Sequence, residues 1–134
     1  MDLIILIGRI LFVALFLSSG VGHLRNAEAM TGYAKSRNVP AARAAVIVSG
    51  VVLLVGGLSV LLGIWPDLGA LLLFLFLVPT AFLMHAFWKE TDQQARMTEQ
   101  IQFMKDLSLA GASLMLVGLF SQAEPGLTIT GPLF

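Results

Sequence analysis

The chain has 134 residues, 57% of them apolar and 12% charged, about half the roughly 25% charge of an ordinary soluble domain. With a mean hydropathy of +0.90 there is too little polar surface to cover a water-soluble globule, and the bilayer is the expected solvent. Eight basic side chains balance eight acidic ones and cysteine is absent, which excludes a nucleic-acid footprint, disulfides, thiolate metal sites and thiol chemistry carried by this chain.

A helix crosses the hydrocarbon core in about 20 apolar residues, because only a helix there satisfies its own backbone. Four such runs follow one another at residues 3–22, 44–65, 68–88 and 101–120. They predict a single membrane domain over 1–134, an all-α antiparallel bundle of four transmembrane helices with its two ends on one side. The first run begins Met1-Asp2 with no basic leader and no small-x-small cleavage site, so it reads as a retained helix and not a signal peptide. Between the first two spans, Asn26 is placed to cap a short interfacial helix whose apolar face is Ala29, Met30, Tyr33 and Ala34. Asn38-Val39-Pro40 ends it. Trp65-Pro66-Asp67 allows only a tight hairpin, with Pro66 and Asp67 suited to a helix start. Thr91 and Gln94 match a capping box, so the fourth helix is expected to begin outside the membrane. Residues 121–134, with Pro125, Gly126, Gly131 and Pro132, read as an irregular tail.

Arg25, Lys35, Arg37 and Arg43 fall in the first connection and Lys89 and Arg96 in the third. The positive-inside rule places those two connections in the cytoplasm and both ends of the chain outside, with Trp65 and Trp88 as interfacial anchors. Gly50 and Gly57, Gly56 and Gly63, and Gly111 and Gly118 each recur seven residues apart, which predicts close helix packing.

Ionisable groups inside apolar runs are functional candidates because their burial is costly. Arg9 either snorkels or pairs with Asp2, Asp67 or Glu124, or else faces the interior and holds an anionic or carbonyl-bearing ligand. At the other end His23, His85, Lys105 and Asp106 share one depth. Lys105 and Asp106 are neighbours about 100° apart on a helix, so one points in, and the shorter Asp106 is the better inward group. A carboxylate beside a histidine can fix its tautomer and relay protons. Alternatively, the histidines only bridge helices, or with Asp106 form a two-His-one-carboxylate metal site that no H-x-x-x-H spacing supports. His85-Ala86-Phe87-Trp88 suits either an aromatic belt or the flat wall of a quinone head-group pocket. Pro79-Thr80 sits mid-span, where proline kinks a helix and frees a carbonyl.

Together these residues resemble the DoxX family of small four-helix membrane proteins. The likeness runs through Ser19-Gly20-Val21-Gly22-His23, Asn26-Ala27-Glu28, Gly32-Tyr33-Ala34, Val39-Pro40, Gly56-Gly57-Leu58, Pro79-Thr80, His85-Ala86-Phe87-Trp88 and Phe103-Met104-Lys105-Asp106-Leu107. The resemblance implies a bacterial inner-membrane protein, with some relatives serving as thiosulfate:quinone oxidoreductase subunits and others accompanying redox enzymes. Two positions depart from the family pattern: Ser49-Gly50 replaces a frequent glutamate, and Asp106 stands where asparagine is common. The expected function is a membrane subunit of a redox-linked complex with a quinone-type pocket formed by His23, His85, Trp88 and Asp106. Arg9 would hold the bundle or a ligand from the other side. No redox centre is intrinsic, so electrons come from a soluble oxidoreductase partner; a homodimer is compatible with the small core. The alternatives are a non-catalytic scaffold that recruits an enzyme through its basic connections and the helix around 93–102, or a small-solute transporter.

Overall fold

The computed structural model describes residues 1–123 and 126–134. Five α-helices follow in order: α1 (Asp2–Arg25), α2 (Ala27–Ser36), α3 (Ala42–Leu62), α4 (Pro66–Met84) and α5 (Gln93–Gln122), with a single 3₁₀ turn at Phe87–Lys89. Four of them, α1, α3, α4 and α5, are long and apolar enough to cross a membrane, and no strand occurs among the described residues. Leu3, Ile4, Leu11, Val48, Val55, Leu75 and Met115 all point outward, as they must in a protein whose solvent is lipid. This is a multi-pass membrane protein.

The helices pack in the sequence α1–α3–α4–α5. Glycines set how closely. A methyl group on Gly20 would meet Leu54 at 2.8 Å, and one on Gly50 would meet His23 Cβ at 2.9 Å, so the α1–α3 seam depends on their missing side chains. Gly111 and Gly118 have nothing within 4 Å of such a methyl group, so the packing expected from their spacing is not made within this chain. Val13, Phe16, Leu53, Val60, Leu73 and Leu77 form the centre of the main core.

Local signals were partly displaced. Asp92, not Thr91, caps α5: its carboxylate accepts from the Ala95 amide at 2.9 Å, placing a full negative charge on the positive end of the helix. Asn26 occupies the cap position of α2 without a side-chain bond. The inward face of α2 is turned from the expected one. Thr31 and Ala34 are buried and Met30 packs beside them, whereas Ala29 and Tyr33 are exposed. The chain leaves the α4 helix at Met84, earlier than the apolar run suggested. Phe87 and Trp88 pack edge-on against Phe103 at 5.4 and 5.6 Å, an arrangement that draws them off the α4 axis towards α5.

At the opposite end, the segment from Gly126 is irregular but docked. Ile64 and Gly131 form an isolated β-bridge, and the amides of Ile129 and Thr130 donate to the carbonyls of Leu62 and Gly63. Gly63 adopts φ +65°, and a side chain there would collide with Thr128. Asp67, fully buried, accepts the Leu133 amide at 2.8 Å and the Phe134 amide at 2.7 Å. Arg9 is 3% exposed and donates to the carbonyls of Leu61, Leu127 and Gly126. Among the described residues its partners are therefore backbone carbonyls, and the expected pairing with Asp67 is not made. Glu124 and Pro125, named above in the pairing and tail expectations, lie outside the described residues.

Two outcomes check this scheme. Asp67→Ala removes charge-assisted bonds worth about 1.5–3 kcal/mol each, so hydrogen exchange at the Leu133 and Phe134 amides should accelerate by on the order of tenfold or more while exchange in α3 is unchanged. Asp92→Ala should cost about 1 kcal/mol, read as faster exchange confined to the first turn of α5.

Candidate functional site

Helix ends build most of the site. α1 carries His23 near its last turn, α2 presents Tyr33 and Arg37 one turn apart, α4 stops immediately before His85, and α5 brings Glu99 and Asp106 on one face, seven residues apart. Arg37 is the hub on the outer side. Its Nη1 donates to Glu90 Oε1 at 2.6 Å, and its Nη2 to Glu99 Oε1 at 2.9 Å and to Tyr33 Oη at 3.2 Å. Partial burial opposes the guanidinium charge, but the bonds to Glu90 and Tyr33 and the negative field of Glu99 outweigh it and hold its pKa above the ordinary value. Arg37 is a permanent cation.

Glu99 collects three donors. Besides Arg37 it accepts from the Tyr33 hydroxyl at 3.1 Å, and His85 Nδ1 lies 2.7 Å from its second oxygen. That geometry assigns the Nδ1 proton, because an ionised carboxylate can only accept. On its far side, His85 Nε2 stands 3.6 Å from Asp106 Oδ2, beyond hydrogen-bond reach. Asp106 is 5% exposed and that oxygen has no partner. Lys105, largely exposed, reaches back to within 3.7 Å of Asp106 Oδ1. The inward assignment of Asp106 therefore holds.

His23 is positioned by α3. Its Nδ1 lies 2.8 Å from Ser49 Oγ, and Ser49 donates its own proton to the Val46 carbonyl at 2.9 Å. The serine oxygen is thus left as acceptor, Nδ1 carries the proton, and Nε2 is free to accept. The imidazole edge faces Phe76, centroids 6.1 Å apart. Ser49 is the residue that orients His23.

A cavity of about 490 Å³ opens between α2, α3 and α4. Its apolar walls are Val, Leu, Met and Ala side chains with Phe76 and Pro79; His23, Ser49, Tyr33, Thr80 and His85 supply the polar groups. Val48, Leu75 and Leu83, among its lining residues, are exposed on the lipid-facing surface. Pro79 leaves the carbonyl four residues earlier without its helical donor, while Thr80 Oγ1 donates to the Phe76 carbonyl at 2.7 Å.

The structure brings together His23, His85 and Asp106, and separates two other candidates from them. Trp88 is absent from the cavity walls; it belongs to the Phe82–Phe87–Trp88–Phe103 cluster, because the chain turns its ring towards α5. Arg9 lies at the other end of α1 with its guanidinium engaged by backbone carbonyls. Among the described residues no three His, Asp or Glu side chains are grouped to hold a metal ion, so the two-His-one-carboxylate arrangement is not formed. Sequence reasoning gave Glu99, Arg37 and Tyr33 no part in the site. The available signal was the seven-residue spacing from Glu99 to Asp106, which puts both carboxylates on one helix face.

Comparison with characterised proteins and with solved structures gives no match. Among protein families, the DoxX model matches residues 4–86, which takes in α1, α2, α3 and α4 and stops just past His85. Since that match covers more than half of the sequence and three of the four spanning helices, the chain belongs to the DoxX family.

Proposed function

We propose that this protein is the membrane subunit of a redox-linked complex and that the cavity between α2, α3 and α4 receives a quinone-type molecule. The observation that carries the reading is the pairing of two oriented imidazoles with a lipid-facing apolar cavity. A quinone needs flat apolar walls, an entrance from the bilayer for its tail, and groups that bond and exchange protons at its oxygens. Val48, Leu75 and Leu83 lie on the bilayer side, and Phe76 supplies a flat, half-buried ring. His23 and His85 each have Nδ1 held by the protein, so each directs Nε2 elsewhere. In neutral form the Nε2 of His23 accepts a quinol hydroxyl, and when protonated it donates to a quinone carbonyl; His85, whose Nε2 faces Asp106, adjoins the head group from the cavity wall. Electrons are supplied by a soluble oxidoreductase partner, since no side chain of this chain is a one- or two-electron carrier at ordinary potentials.

The same reading places the molecule in a bacterial inner membrane, with the basic end in the cytoplasm. Arg25, Lys35, Arg37, Arg43, Lys89 and Arg96 all lie at or beyond the helix ends on that one face, in accord with the positive-inside rule. A second reading, a scaffold that recruits a soluble enzyme, is favoured by the first turns of α5, where Gln93, Gln94, Arg96, Met97 and Ile101 are all exposed. Purification in mild detergent separates the two: a partner whose quinone-linked activity survives His23→Ala and His85→Ala supports the scaffold.

The direct test is titration of a short-chain quinone into the protein in lipid nanodiscs. His85→Ala and His23→Ala should each weaken binding by about tenfold, the loss of one hydrogen bond to a buried group. Val52→Trp, which fills the apolar wall without touching a polar group, should abolish it. Equal affinity in all three variants and the wild type would remove the cavity from consideration.

A further inference from the structure

Behind the histidines lies a second, smaller cavity of about 130 Å³ between α1, α4 and α5. Its walls include His23, His85, Asp106, Lys105, Ser19 and Thr80. A space this polar, and larger than a single water requires, is one that water fills, whereas apolar cavities stay dry.

Two features of Asp106 and His85 point into it. Asp106 Oδ2 is buried with no partner, and a carboxylate oxygen left so in a low-dielectric interior carries the full cost of its desolvation unless a donor is supplied. His85 Nε2 faces that oxygen at 3.6 Å, a separation that suits a bridging water and not a direct bond. The Nδ1 proton is committed to Glu99. A neutral ring would therefore set the Nε2 lone pair against a carboxylate oxygen, two acceptors facing one another. A proton on either group, or a water between them, resolves the conflict.

We propose that Glu99, His85 and Asp106 form a proton-transfer line from the basic face of the protein to a hydrated pocket between α1, α4 and α5, with Glu99 as its entry. Glu99 is reachable from outside, its side chain 14% exposed, and Arg37 and Tyr33 hold it in place. In the structure the ring's one proton faces Glu99; rotation of the imidazole turns that N–H towards Asp106 and the bare nitrogen towards Glu99, and a proton arriving on Glu99 then crosses to the bare nitrogen as the turned N–H releases its own, through water, to Asp106 Oδ2. One proton is thereby moved, no electron is transferred, and the ring is neutral before and after. The ring then again carries its one proton on the side facing Glu99, and a further rotation readies it for the next transfer. The groups that face Asp106 are His85 from the end of α4, Lys105 beside it, Thr80 of α4, and Ser19 and His23 of α1 across the cavity.

This deepens the quinone reading and rests on it for the fate of the proton. Reduction of a quinone to its quinol consumes two electrons, here from the partner oxidoreductase, and two protons. His23, His85 and Thr80 line both cavities, so a proton stored beside Asp106 is one side chain away from the head group.

Solid-state NMR of histidine-¹⁵N protein in lipid bilayers tests the line, since the chain has just 2 histidines. Water magnetisation should reach the His85 ring, and its ring N–H exchange should slow on the order of 100-fold in Glu99→Gln, the lower end of what a positioned acid or base contributes. Asp106→Asn, of the same shape, should slow it likewise and guards against a folding defect in the first variant. A dry His85 ring, or exchange equal to wild type in both variants, overturns the proposal. Quinone titration of the same samples separates the two readings. Exchange that depends on Glu99 without quinone binding upholds the line and refutes the quinone pocket; binding with exchange independent of Glu99 does the reverse.

Discussion

One hydrogen bond, from His85 Nδ1 to Glu99 Oε2, holds the functional end of this molecule together. It joins the residue at which α4 ends to the first turns of α5, and Glu99 is in turn clamped by Arg37 and Tyr33 of the interfacial helix. Without it nothing would fix the imidazole between a large apolar cavity and a small polar one. The bond also sets the tautomer, and with it the chemistry available at Nε2. Away from bulk water few alternative partners are on offer, so a polar group here is organised by the chain or by water held in the small polar cavity.

The opposite end obeys the same constraint with a different result. Arg9 and Asp67 are both buried, yet they do not meet; among the described residues the hydrogen bonds that each makes go to backbone. Arg9 takes carbonyls at the end of α3 and in the segment from Gly126, while Asp67 takes the amides of Leu133 and Phe134. A guanidinium with five donors suits several carbonyls, and an anion suits convergent amides. This end is a staple that closes the α3–α4 hairpin, and it leaves the chemistry to the other face. The division explains why Arg9 and His23, on nearly one stripe of α1, serve unrelated purposes.

Much of the fold was legible because its signals are local and physical. Apolar run length announces a spanning helix, Pro66 opens α4 as its rigid φ allows, and the short interfacial helix follows from its own alternation of polar and apolar residues. The site was legible only where an ionisable group interrupts an apolar run, which picked out His23, His85 and Asp106. Glu99 and Arg37 escaped because they sit in polar stretches where a charge needs no explanation. Trp88 misled because an aromatic next to a histidine has the same sequence signature whether its ring faces a cavity or a cluster of Phe82, Phe87 and Phe103. Gly111 and Gly118 misled for a related reason: spacing shows that a helix has a smooth face, not that another helix lies against it.

By itself, then, the sequence determined the solvent, the number of spans, the end of the bundle where ionisable groups gather, and the family. Those properties depend on composition and on distances along one chain segment. Tertiary structure alone decided which donors face which acceptors: that Asp92 and not Thr91 caps α5, that Ser49 orients His23, that Glu99 orients His85, and that Asp106 Oδ2 is left unpartnered beside a cavity. Hydrogen bonds reach about 3 Å, and whether two side chains far apart in sequence come within that reach depends on how glycine-lined helices settle against one another, which no single segment encodes.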